Sequence, residues 1–316
     1  MQGLEILATG HYVPPYVVSN DMLEKMVDTS NDWIIERTGI ETRHYIKDEN
    51  TSSMAAKAAR QALEQSGVQA SQIRYLIVST VTPDYVTPSV ACMLQKELGL
   101  STDTMAIDIN AACSGFTYGL RLLHSLLQGD SAQYGLMVSA EALSKITDFA
   151  DRSTCVLFGD GAGAMLVKGS DTKPFYHILR TDGNEKDIFC PGTPMQGESA
   201  EMHLHMNGKK VFRFATTVVP QCIAYLLEQA HLQAEDIDYF VCHQANARII
   251  RHIQNAMGLP GDKFYMNVQR YGNTSSASIP LAISEMSQKG LLKPGMKIIC
   301  VGFGGGFTWG GVLMEW

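Results

Sequence analysis

A short alternating apolar run at Ala106, Ile107 and Ile109 predicts a buried strand. It stops at small residues, and Phe116, Leu120 and Leu123 then recur at helical spacing. The same reading predicts strands at residues 4–9, 73–80 and 135–139, and a further one leading out of 158–167. Helices are predicted from an N-cap at Asn20 through Met22, Leu23 and Met26, from Thr51 or Ser52 to about Ser66 with Gly67 as the stop, and within 88–98. Strands alternating with helices predict an α/β layered fold with a largely parallel sheet.

The second half of the pattern repeats the first. Leu63 to Tyr75 aligns with Leu227 to Tyr239 at an offset of 164, and Gln95 to Leu100 aligns with Gln254 to Leu259 at 159. Phe158-Gly-Asp-Gly and Phe303-Gly-Gly-Gly each lead into a strand. Matched segments in one order argue for two copies of a βα unit related by a pseudo-twofold. An offset near 160 carries Cys113 to Asn273, and 164 carries Ser79 to His243. All three residues then sit at strand ends or helix starts of equivalent units, which converge at one end of the sheets.

The 316 residues are enough for one large or two medium domains, and 45% hydrophobic with 18% charged residues is ordinary globular composition. A net charge of −7 argues against a general nucleic-acid or membrane-surface binder, yet leaves room for a local basic patch. Seven scattered cysteines without a C-x-x-C pair fit neither a disulfide framework nor a zinc site. The first residues lack the regions of a signal peptide, and no apolar run reaches membrane-spanning length. The expectation is a cytoplasmic, thiol-reduced protein without metal.

Cys113 carries the first chemical signal. At a helix start, unpaired N–H groups and the helix dipole should lower the thiol pKa and favour the nucleophilic thiolate. Ala111, Ala112, Ser114 and Gly115 leave room for a ligand to approach. The alternative is a buried cysteine acting as a small hydrophobe. His243 ends a predicted buried strand with Asn246 three positions on, and Asn273 lies in a Gly-Asn turn. His203 and His205 alternate on a predicted strand without a further ligand nearby. The run Gly302 to Gly310 is neither a Walker loop nor G-x-G-x-x-G. A glycine turn of this kind brings backbone N–H groups close to a ligand, and with the Cys113 N–H it makes an oxyanion hole.

These segments resemble the bacterial β-ketoacyl-acyl-carrier-protein synthase III family of the thiolase superfamily along essentially the whole chain. The resemblance is carried by Val27-Asp-Thr-Ser-Asn-Asp-Trp33-Ile, Arg37-Thr-Gly-Ile40, Ala112-Cys113-Ser-Gly-Phe, Phe158-Gly-Asp-Gly-Ala-Gly-Ala164, His243-Gln-Ala-Asn246, Gly272-Asn273-Thr-Ser and Phe303 to Gly310. It implies a thiolase-like α/β fold layered α-β-α-β-α, with halves at 1–170 (Cys113) and 171–316 (His243, Asn273). Elongating synthases would show two histidines, a true thiolase a second cysteine where Phe303 stands, and a hydroxymethylglutaryl-CoA synthase a glutamate in 79–87, where this chain has none.

The implied reaction is a decarboxylative Claisen condensation of an acyl-CoA primer with malonyl-acyl carrier protein, initiating fatty acid biosynthesis. Cys113 is the acyl carrier, and His243 and Asn273 donate hydrogen bonds to the malonyl thioester. The Cys113 and Gly305 N–H groups form the oxyanion hole. No carboxylate base is needed, because loss of carbon dioxide generates the carbanion. Trp33, Arg37, Arg152 and Asn246 would hold CoA, which is a substrate and not a cofactor. Arg213, Arg248 and Arg251, with Lys209 and Lys210, would face the acyl carrier protein; Lys209 stands where well-known members have asparagine. Thr87 would reach across a homodimer to the partner's acyl pocket, lined also by Leu143, Leu157 and Phe158. Familiar short-primer members have phenylalanine at Thr87, so a longer primer is an alternative. Two other readings stay open: a Cys-His-Asn thioester hydrolase and a non-catalytic carrier-protein-binding module.

Overall fold

The computed structural model describes residues 3–128, 133–192 and 202–316. Two sheets dominate it. The first has the order Gly3–Tyr12, Gly161–Ser170, Tyr134–Glu141, Ile73–Ser79, Met105–Ile109, and the second the order Phe175–Asn184, Gly306–Glu315, Lys297–Gly304, Tyr239–Cys242. Both begin with two antiparallel ladders and pass to parallel pairing at the next strand. The largely parallel sheet expected from sequence is therefore corrected to two mixed sheets. A parallel return needs a long crossover, usually a helix. Only a short 3₁₀ turn, Leu143–Ile146, lies between Glu141 and Gly161, and only Gly305 lies between Gly304 and Gly306.

Two helices fill the space between the sheets. Gly115–Leu126 packs on Ile73–Ser79 and Tyr134–Glu141 on one side, and on Lys297–Gly304 and Gly306–Glu315 on the other. Ser278–Gln288 packs on Gly3–Tyr12, Gly161–Ser170 and Tyr239–Cys242. Every residue from Ser278 to Met286 is buried, as a helix covered by sheets on two sides requires. Gly163 permits the close approach, since a Cβ there would lie 2.6 Å from the Leu281 nitrogen. Thr51–Ser66 and Val90–Glu97 cover the outer face of the first sheet, and Gly208–Ala230 and Ala247–Met257 that of the second. The layering is α-β-α-β-α.

Local expectations are adjusted in three places. Ser19, not Asn20, precedes the short helix Asn20–Leu23; the Asn20 amide donates to the Ile40 carbonyl at 2.8 Å and its Oδ1 accepts from the buried Arg43. Asn50 caps Thr51–Ser66 through a reciprocal box with Ser53, while the Thr51 hydroxyl donates to the Thr82 carbonyl at 2.6 Å. Gly67 ends that helix in the left-handed conformation as expected. Met105–Ile109 is an edge strand and only half-buried in one chain, since sheet pairing covers one side of it.

Candidate active site

Cys113 sits in the 3₁₀ turn Ala112–Ser114, directly ahead of Gly115–Leu126. The turn is tied to the glycine hairpin of the second sheet. The Ser114 hydroxyl meets Thr308 Oγ1 at 2.6 Å, and Thr308 Oγ1 lies 2.9 Å from the Ala111 carbonyl and 3.0 Å from that of Gly305. Gly304 lies against the nucleophile: a Cβ there would stand 2.7 Å from the Cys113 nitrogen and 3.1 Å from its sulfur. Among the described residues the Cys113 N–H meets only its own sulfur and the Gly305 N–H meets no acceptor. Neither N–H is taken by another residue among those described.

The lowered thiol pKa expected from the helix start is corrected. Burial pushes the Cys113 thiol up to about 12; the Ser275 hydroxyl opposes the rise and the nearby Glu141 carboxylate adds to it. Cys113 is buried at the base of its cleft, and desolvation of a thiolate there outweighs a helix terminus.

His243 follows the strand Tyr239–Cys242, its N–H bonded to the Val301 carbonyl at 2.8 Å. Its Nδ1 lies 2.7 Å from the Ser278 hydroxyl, which already accepts the Gln244 N–H at 3.2 Å. Among the described residues that hydroxyl has no other acceptor, so it donates to Nδ1 and the ring proton resides on Nε2. Burial lowers the His243 pKa to about 3, keeping the ring neutral. Phe303 packs edge-on to the ring, centroids 5.1 Å apart. Asn273 is fixed by backbone bonds to Leu157 and Gly159, and its Oδ1 accepts the Ser275 N–H at 2.8 Å. With Oδ1 so occupied, Asn273 offers its Nδ2 amide as a donor. Cys113, His243, Asn273 and Gly304 line one cleft of about 860 Å³ including its open mouth, which Trp33, Arg37 and Asn246 line as well.

The internal repeat places the counterparts differently from the sequence offset. Ala112 and Ser275, 163 positions apart, both adopt left-handed φ, at 45° and 48°. Asn110 Oδ1 accepts the Ala112 N–H at 3.2 Å just as Asn273 Oδ1 accepts that of Ser275. Asn273 therefore corresponds to Asn110, and the counterpart of Cys113 is Ser276. The same spacing relates His243 to Thr80 and Gly304 to Glu141. Where Gly304 leaves space over Cys113, Glu141 fills it over Ser276: its Oε1 accepts from the Ser276 hydroxyl at 2.7 Å, and its Oε2 from the Val81 N–H at 2.9 Å. A carboxylate thus reaches the end of Ile73–Ser79 after all, from the neighbouring strand. Its sequence signal was an acidic residue ending an otherwise buried strand. Ser275, Ser278 and Thr308 carry no distinct sequence signal, being hydroxyl residues in small-residue runs.

The remaining candidates fall into three groups. Trp33 and Arg37 share the helix Asn31–Thr38, and the Arg152 guanidinium stands 5.1 Å over the Trp33 ring. Asn246 caps Ala247–Met257, its Oδ1 taken by the Arg248 N–H and its Nδ2 by the Arg37 carbonyl. Arg213, Arg248 and Arg251 are exposed on the packed helices Gly208–Ala230 and Ala247–Met257, without ion pairs among the described residues. Lys209 is exposed nearby, whereas Lys210 pairs with Asp187 at 3.1 Å. Leu143, Leu157 and Phe158 share one buried cluster, and Thr87 stays exposed outside the chain's own cleft. His205 stacks on Phe189, and no His, Cys, Asp and Glu group among the described residues has a metal-holding arrangement. No helix among them is long and apolar enough to cross a membrane.

Residues 107–184 match the family described as 3-Oxoacyl-[acyl-carrier-protein (ACP)] synthase III, and residues 227–316 its C-terminal counterpart. The chain is 46% identical to the β-ketoacyl-[acyl-carrier-protein] synthase III of Clostridium acetobutylicum, with 100% of this chain and 99% of that protein aligned. The crystal structure of 3-oxoacyl-[acyl-carrier-protein] synthase III from Aquifex aeolicus superposes with a TM-score of 0.94 at 37% identity, covering 99% of this chain and 100% of that one. The Thermus thermophilus enzyme gives 0.93 at 41%, covering 98% of each. The identity runs the length of the molecule, and on it the chain belongs to the β-ketoacyl-[acyl-carrier-protein] synthase III family, condensing acyltransferases that initiate fatty acid synthesis.

Proposed function

We propose that the chain condenses an acyl-CoA primer with malonyl-acyl carrier protein, using Cys113 as acyl carrier and His243 and Asn273 for decarboxylation. The observation that carries this reading is the pair of donors at the cleft base. His243 presents Nε2–H and Asn273 presents Nδ2, each fixed by a hydrogen bond on its far side. Neither is a base. Two neutral donors suit a thioester carbonyl that becomes an enolate as carbon dioxide leaves. In the first half-reaction Cys113 sulfur attacks the acyl-CoA carbonyl, and CoA leaves with the proton. In the second, the malonyl-derived carbanion attacks the acyl-Cys113 carbonyl, whose oxyanion is held by the free N–H groups of Cys113 and Gly305. The thiolate is then released and reprotonated.

Acyl-CoA acts as substrate, and no cofactor enters this scheme. Trp33 and Arg152 offer a flat aromatic and a cation to the adenine nucleotide at the cleft mouth. Arg213, Arg248 and Arg251 offer positive charge to an acidic carrier protein. The open, half-buried edge of Met105–Ile109 and the exposed Tyr85 and Val86 favour a homodimer, in which Thr87 would border the partner's acyl pocket. The compartment proposed is the cytoplasm. Intact-mass measurement tests the reading. Acyl-CoA alone should leave one acyl adduct on Cys113, and malonyl-acyl carrier protein should remove it as 3-oxoacyl product forms. No adduct would contradict the proposal.

A further inference from the structure

Arg43 is fully buried, and among the described residues no carboxylate pairs with it. Its guanidinium donates to three neutral oxygens: Nη1 to Asn20 Oδ1 at 2.8 Å and the Val18 carbonyl at 3.3 Å, Nη2 to the Val156 carbonyl at 2.8 Å. A buried cation without a counter-ion carries a desolvation cost that an apolar side chain in the same space would not. Stability alone therefore does not account for an arginine here. Val156 opens the segment that holds Asn273. The next carbonyl, that of Leu157, accepts the Asn273 N–H at 2.8 Å, and the Gly159 N–H donates to the Asn273 carbonyl at 3.0 Å. The Arg43 stem packs against the same place: a Cβ on Gly159 would stand 3.2 Å from the Arg43 Cβ, and one on Gly272 3.3 Å. At the other end of the guanidinium, Asn20 Nδ2 donates to the Ile40 carbonyl at 2.8 Å and to Asn31 Oδ1 at 3.0 Å. Asn31 is the first residue of the helix that carries Trp33 and Arg37.

We propose that Arg43 is a positioning residue for Asn273: its guanidinium braces the segment 156–159 against Asn20 and so aims the Asn273 amide at the malonyl thioester. This deepens the assignment of Asn273 as a decarboxylation donor and rests on it. Asn273 follows Gly272, which stands at a φ of 65°, so the chain entering it has the freedom of a glycine. Its two backbone bonds both run to 157 and 159, and a shift of that segment carries the donor with it. A donor serves a developing oxyanion only when held within about 0.5 Å of its productive place. Arg43 does not line the cleft, so it acts through Asn273 and not on the substrate. The planar fork is what the brace needs, because it reaches Asn20 and Val156 with separate nitrogens. A lysine in its place keeps the charge but brings one ammonium to two separate oxygens.

The test measures Arg43→Lys in two assays, with thermal melting as the check on folding. One is carbon dioxide release from malonyl-acyl carrier protein by enzyme already acylated on Cys113. The other is acyl-adduct formation at saturating acyl-CoA. The variant should release carbon dioxide about tenfold more slowly and acylate within about twofold of wild type. Introduced into Asn273→Ala, the same change should slow carbon dioxide release no further, since no donor is left to aim. Asn20→Ala removes the far end of the brace and keeps the guanidinium; it should slow carbon dioxide release about threefold, with acylation again near wild type. Wild-type carbon dioxide release in a folded Arg43→Lys, or in Asn20→Ala where the lysine variant does not fold, would overturn the proposal. So would equal loss of both half-reactions, or additive losses in the double variant, which mark a merely structural role. Wild-type carbon dioxide release in Asn273→Ala itself would instead refute the donor assignment.

Discussion

His243 Nδ1 and the Ser278 hydroxyl stand 2.7 Å apart, and that contact decides which ring nitrogen carries the proton facing the cleft. Ser278→Ala removes the donor that reserves the proton for Nε2. Losing about 1.4 kcal/mol of fixed hydrogen bonding should slow decarboxylation about tenfold and leave acylation close to wild type. Separate assays of carbon dioxide release and acyl-adduct formation check this. Equal effects on both would contradict it.

Gly304→Ala places a methyl group 2.7 Å from the Cys113 nitrogen and 3.1 Å from its sulfur. The nucleophile and one oxyanion donor must both shift. Acylation should drop by at least 100-fold, with a stability loss of about 1–3 kcal/mol from overpacking. Thermal melting together with adduct formation reads both effects. A fully active variant would refute the close packing described for the hairpin.

His243 supplies a pH dependence of stability. Its folded pKa of about 3 lies below the ordinary 6.5, so between these values the unfolded chain binds a proton that the folded chain does not. Stability should rise with pH through this window and be lost on acidification, by up to about 1.4 kcal/mol per pH unit. Burial also lowers the pKa of His11, His44 and His177, which pull in the same direction. Urea unfolding of wild type against His243→Gln at pH 6.5 and 4.5 isolates the contribution. The variant should lose less stability over that interval.

Thr87 is smaller than phenylalanine, and in the proposed position beside a partner's acyl pocket it should admit primers longer than acetyl. Turnover measured against acyl-CoA chain length should extend beyond propionyl-CoA, and Thr87→Phe should cut it back. Exclusive use of acetyl- and propionyl-CoA by the native chain would reject this, Leu143, Leu157 and Phe158 then closing the pocket by themselves.

The layers and the repeat were legible in sequence because buried strands and amphipathic helices leave apolar periods, and two copies leave them twice. Cys113, His243 and Asn273 were found because each ends a strand or starts a helix among small residues. The offset of 160 nevertheless misassigned the counterpart of Cys113. Loop lengths drift between the copies, and only the left-handed turns at Ala112 and Ser275 show the true spacing of 163. The pKa of Cys113 was misjudged for a similar reason. The helix start is local and visible in sequence, whereas the burial that outweighs it comes from Gly304 and the turn Ser275–Ala277, distant along the chain. Sheet direction depended on connections with no helix, and the tautomer of His243 on a serine 35 positions away.

The division of labour between Cys113 and its two donors is tested most directly by the rate of carbon dioxide release from malonyl-acyl carrier protein in Asn273→Asp enzyme already acylated on Cys113. Aspartate can still accept the Ser275 N–H, but it replaces the Nδ2 donor with an oxygen. The account predicts acylation near the wild-type rate and carbon dioxide release reduced by about 10²–10³-fold, the usual effect of losing one such donor. Normal carbon dioxide release from the acylated variant, or failure of the variant to acylate, would contradict it.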